Sequence, residues 1–192
     1  MREMTHQGAA MTNFEFAFSL FGLLLGLSLA ELLGGFTRSL QKRAKLRVGW
    51  LLPLLGLLVL LDVASFWMVA WSVRDAVPIE YFPLMVGLMI CCLYYFVASL
   101  VFPHDLDEWQ DLDDYYFKHR SLVIGGMILC NWLAIVGVGM LGVYPLSNFG
   151  DQVSIAIFLL SAAALVLARG KRVSLALLIF IVLQYPIGAI IR

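Results

Sequence analysis

Residues 50–71 read WLLPLLGLLVLLDVASFWMVAW, an apolar run interrupted at depth by one carboxylate, Asp62. A helix needs roughly 20 apolar residues to cross about 30 Å of hydrocarbon. The run is leucine-rich and lacks the alternation of a barrel strand, so it predicts a transmembrane helix. Working outward, runs of the same kind place approximate spans at 14–36, 48–73, 82–102, 121–143, 152–169 and 173–191. The fifth, bounded by Asp151 and Arg169, barely reaches the minimum length. The expected architecture is all-α: a polytopic six-helix membrane bundle, one domain over 14–192, preceded by a polar tail over 1–13.

Composition agrees. The 192 residues are 62% hydrophobic and 14% charged, with mean hydropathy +0.92, whereas soluble domains are roughly 45–50% apolar and about 25% charged. The 13 basic and 13 acidic residues cancel, which argues against a nucleic-acid partner, because phosphate binding needs a basic footprint. Cys91, Cys92 and Cys130 lie inside apolar runs and read as packing thiols. No small-residue cleavage pattern follows the tail, so no removable signal peptide is expected.

Proline positions match these borders. Pro53 and Pro83 fall in first turns, where a missing N–H costs least, and Pro103 follows the third span. Pro186, inside the sixth, predicts a kink.

Direction follows from Lys and Arg. Loops 37–47, 103–120 and 169–172 hold Arg38, Lys42, Arg43, Lys45, Arg47, Lys118, Arg120, Arg169, Lys171 and Arg172, while the other side has Arg2, Arg74 and Arg192. The positive-inside rule makes the first set cytoplasmic and both termini extracytoplasmic. Trp50, Trp71, Tyr81, Tyr144 and Tyr185 read as interfacial aromatics by the same rule.

The embedded polar residues carry what functional signal there is. Thr12 and Glu15 have the spacing of a capping box at the first helix start. In GLSLAELLGG (26–35), Glu31 shares a helical face with Ser28, Gly35 and Arg38, while Ser19, Gly22, Gly26 and Ala30 follow the Glu15 side. Small residues on two sides let neighbours approach closely and predict a central first helix. Two turns separate Glu31 from Arg38, about 10 Å along the axis, long for a direct ion pair. His119 or Arg120 at similar depth are alternative partners.

Asp62 is the deepest charge, at a level where insertion costs about 2.5–3.5 kcal/mol. No Lys or Arg falls at comparable depth, so the group is expected to hold a proton unless water or a cation reaches it. Asn131, Ser65, Tyr94 and Tyr95 are its candidate partners by depth. An Asp62–Asn131 packing clamp and a proton or cation pathway through Glu31, Asp62 and Asn131 are the two readings.

The stretch HDLDEWQDLDDYYFKHR (104–120) is acidic before the sign changes at Lys118. Phe102, Leu106, Trp109, Leu112, Tyr116 and Phe117 form one apolar arc, which predicts a short helix lying at the interface, interrupted by Asp113. RSLQKRAKLR (38–47) carries five positive charges, so pairing between the two loops is expected. The histidine and aspartate spacing matches neither an EF-hand nor a zinc site, and no metal or cofactor is expected. HExxH, P-loop and GxSxG patterns are absent from the sequence, which makes an enzyme the weakest class.

NFEFAFSL, GLSLAELLGG, SFWMVAW running on to Arg74 and Asp75, and DDYYFKHR resemble a group of small bacterial multi-pass inner-membrane proteins. The resemblance covers most of the first four helices and implies a bacterial inner-membrane location. The residues support two functional expectations. One is proton or cation conduction or coupled transport through the buried carboxyls, as a homo-oligomer in the bilayer. The other is a non-catalytic scaffold or sensor whose cytoplasmic face, with Arg38, Tyr116, His119 and Arg120, recruits a protein partner.

Overall fold

The computed structural model describes residues 13–43, 46–77, 80–140, 142 and 149–191, without the side chains of 13–17, 149, 151 and 189–191. The Thr12–Glu15 capping pair, the polar tail, Lys45, Tyr144, Arg2 and Arg192 lie outside what is described. Six helices follow one another: α1 Asn13–Gln41, α2 Leu51–Ser72, α3 Tyr81–Val101, α4 Leu112–Met140, α5 Phe149–Leu167 and α6 Lys171–Ile191. All but α5 contain a stretch long and apolar enough to cross a membrane; the apolar part of α5, Gln152–Leu167, is shorter.

Close approaches fix the directions. Gly126 faces Val97 and Gly137 faces Val86, so α3 and α4 run antiparallel. Gly87 meets Phe21 and Gly35 meets Phe102, so α1 and α3 run parallel. The α1–α2, α3–α4 and α5–α6 connections therefore gather at one end, which carries most of the basic residues.

The central helix is α2, not α1. It packs against α1, α3, α4 and α6, and Leu52, Leu55, Leu58, Val59, Asp62 and Val63 on it are buried. The buried face of α1 carries Leu25, Ser28, Leu32, Gly35 and Ser39, while Ser19, Gly26 and Ala30 are exposed. Of the small residues on the second side, Gly22 faces the Trp67 ring of α2. At Gly26 nothing lies within 4 Å of where a Cβ would sit.

The fourth helix begins at Leu112, not near residue 121. Asp111 accounts for the difference: its Oδ1 accepts the Asp113 N–H at 2.8 Å, an N-cap, and Asp113 and Asp114 occupy the first turn, where acidic groups suit the helix dipole. The expected interfacial helix is absent, since 102–110 form turns and bends. Its apolar arc points inward instead. Phe102, Leu106, Leu112 and Tyr116 are buried in the protein core.

Candidate functional site: a carboxyl held by three helices

Asp62 is 2% exposed, and donors from three neighbouring helices converge on it. The Tyr94 hydroxyl of α3 donates to Oδ2 at 3.1 Å, and the Tyr185 hydroxyl of α6 donates to Oδ1 at 2.9 Å. Asn131 Nδ2 of α4 lies 3.0 Å from both oxygens and 3.0 Å from the Met127 carbonyl. One amide proton is thus shared across the carboxyl while the other returns to its own helix. The i−4 bond orients Asn131 before it meets its partner.

The arrangement suits a carboxylate, which accepts from all three groups. A carboxyl carrying a proton would donate it in a hydrogen bond to one tyrosine oxygen, which then gives up its own bond to Asp62. Phe66 packs its ring 5.2 Å from that of Tyr94, and Phe158 lies edge-on to Tyr185 at 6.3 Å. Aromatic walls therefore back both phenols.

Of the partners expected by depth, Asn131 and Tyr94 are brought to Asp62. Ser65 makes no bond to it, and Tyr95 points outward, 43% exposed. Tyr185, read from sequence as an interfacial aromatic, is instead the third donor.

Glu31 is not part of this cluster. Its Oε1 lies 3.0 Å from Arg38 Nη2 with both side chains partly exposed, so the two flexible chains close the axial gap directly. Neither alternative partner reaches it. His119 stacks on Tyr115, ring centroids 4.1 Å apart, and Arg120 turns toward α5 and α6.

At the basic end the connections are tied together. Lys42 pairs with Asp107 at 2.6 Å, and the backbones of Arg47 and Asp111 form a bridge, completed by Leu112 N–H to the Arg47 carbonyl at 3.2 Å. The expected pairing of the first and second basic-end loops is therefore present. Lys171, at the start of α6, adds contacts to Asp111 at 3.2 Å and Asp113 at 3.1 Å. A groove of about 380 Å³ opens here, lined by Pro103, His104, Asp105, Glu108, Trp109 and Lys118 among others. Among the described residues no three His, Cys, Asp or Glu side chains are grouped to hold a metal ion. Free thiols are found at buried Cys91 and Cys130 and exposed Cys92.

No protein-family model matches the chain, and no curated protein or solved structure matches it either. Its chemistry has to be read from its own residues.

Proposed function

We propose that this chain is a non-catalytic scaffold subunit of the bacterial inner membrane, crossing it six times with both termini outside, and that Asp62 locks the helix arrangement. The carrying observation is that both Asp62 oxygens are bonded to neutral donors from α3, α4 and α6 in a buried setting. A carboxyl in hydrocarbon costs about 2.5–3.5 kcal/mol, and interhelical hydrogen bonds average about 0.6 kcal/mol each. Such bonds offset that cost rather than exceed it. The network therefore selects one arrangement of α2, α3, α4 and α6 more than it adds net stability.

A scaffold needs a face to offer. The basic-end loops pair among themselves, which leaves Asp105, Glu108 and Asp114 exposed and outside those ion pairs. These residues are the proposed docking charges for a protein partner on the cytoplasmic side.

A second reading, conduction of protons or cations through Glu31, Asp62 and Asn131, is favoured by the depth of Asp62, since ionisable residues inside spans commonly serve transport. Glu31 stands apart from the Asp62 cluster, paired with Arg38, and this supports the lock over a relay. Reconstitution into liposomes separates the two. The lock expects native protein to pass no more protons or cations than empty vesicles. Flux in native protein that disappears in Asp62→Asn would overturn it. Capture of a partner that survives neutralisation of Asp105, Glu108 and Asp114 would count against the docking face.

A further inference from the structure

The groove beside Trp109 at the basic end holds about 380 Å³ and is lined by acceptors and aromatic faces. Asp105 and Glu108 are exposed on its wall and belong to none of the ion pairs that tie the loops together. His119 adds a third acceptor. Its Nδ1 lies 3.1 Å from the Tyr115 carbonyl, which can only accept, so the ring proton sits there and Nε2 of the neutral imidazole keeps its lone pair. Lys118 is the one cation lining the groove, and its Nζ stands 5.4 Å from the Trp109 ring centroid. The indole face is thus already placed to receive a cation. Three acceptors against one cation leave the groove short of donors. The described His, Cys, Asp and Glu side chains do not group into a metal site, so its complement is an organic cation.

The same end of the chain carries such cations. Arg169 and Arg172 flank the α5–α6 turn, both exposed, and among the described residues neither takes part in an ion pair. Leu167 and Val173 beside them are 76% and 55% exposed, so the turn presents apolar surface along with its charge. Lys171, between the two arginines, reaches Asp111 and Asp113. That contact sets the turn at the level of the 102–111 connection without filling the groove. A guanidinium carries five donors in a planar fork that matches carboxylates and lies flat on aromatic rings, the two kinds of surface the groove provides.

We propose that the groove seats the α5–α6 turn of a second copy of this chain, whose Arg169 and Arg172 enter between Asp105 and Glu108 and against Trp109. The inference rests on the docking face proposed above and names its partner. Copies embedded in one bilayer share a direction and a depth, so an acidic groove and a basic turn at the same level meet by lateral diffusion alone. Exposed ion pairs contribute little by themselves. Here the Trp109 ring and the incoming Leu167 keep water from them, which strengthens the attraction. Each copy carries both halves of the contact, as self-assembly requires.

Energy transfer between donor- and acceptor-labelled copies in phosphatidylcholine vesicles, diluted stepwise with lipid, tests this. Native protein is expected to associate. Asp105→Asn with Glu108→Gln, or Arg169→Gln with Arg172→Gln, should each weaken association about tenfold, as the loss of two exposed pairs implies. Mixing the two double variants should restore transfer between them, because an intact turn then meets an intact groove, and that recovery also shows that both variants fold. Native copies that show only chance proximity, association that neither double variant weakens, or a mixture no better than its parts would overturn the contact. Copies that do not self-associate but bind a short arginine peptide through Asp105 and Glu108 would overturn it while leaving the docking face in place. Binding of neither would remove the docking face as well.

Discussion

Tyr185 and Asp62, 123 positions apart in sequence, meet through a 2.9 Å hydrogen bond from the phenol to Oδ1. The bond joins the last helix to the central one, adding a polar tie to two helices that already pack together. It also completes a set of donors in which each neighbour of α2 on that side, α3, α4 and α6, contributes one group.

Removing the amide tests the second of these donors. Asn131→Leu leaves both Asp62 oxygens to the tyrosines and deletes the one nitrogen donor among the described residues. A loss of about 1–2 kcal/mol is expected, read as a lowered melting temperature in detergent. Asn131→Gln, which keeps the amide on a longer stem, should recover part of it.

A matched pair of glycines on α1 tests the packing. A Cβ at Gly35 would collide with the Phe102 ring, which is buried and flanked by Phe36 at 4.9 Å. Gly35→Ala should therefore destabilise by about 1–3 kcal/mol. Gly26→Ala, with open space around it, should be neutral or raise the melting temperature slightly through helix propensity.

Much of this architecture was legible from residue periodicity alone. Apolar runs locate six helices, five of them long and apolar enough to cross a membrane, and the deep carboxyl at 62 announces a polar cluster because it cannot stay alone. Asn131 and Tyr94 follow from depth. Tyr185 did not, because an aromatic near a span end looks like an interfacial residue. Counting from the helix starts shows the missed signal: Tyr185 is 14 residues into α6 and Asp62 is 11 into α2, less than one turn different. The start of α4 was hidden for another reason. Acidic residues over 111–114 read as loop until Asp111 is recognised as a cap.

The ion pairs at the basic end should matter unequally. Lys42→Gln breaks a single contact to Asp107, which is 77% exposed, and should change stability by no more than about 1 kcal/mol. Lys171→Gln releases Asp111 and the mostly buried Asp113 together, so it should lower the melting temperature further. Raising salt should shrink both differences, the Lys42 effect first.

Glu31→Gln should leave melting nearly unchanged, because its bond to Arg38 joins two partly exposed side chains and such pairs contribute little. A large loss would place Glu31 in a tighter setting than this pair provides.

A double-variant cycle on Asp62 and Tyr185 tests the lock most directly. Melting of native protein, Tyr185→Phe, Asp62→Leu and the double variant gives the coupling between the two side chains. The expected result is that Tyr185→Phe lowers melting in the native background and has no effect once Asp62 is leucine. Equal effects in both backgrounds would contradict the bond, and with it the proposal that this carboxyl fastens the helices together.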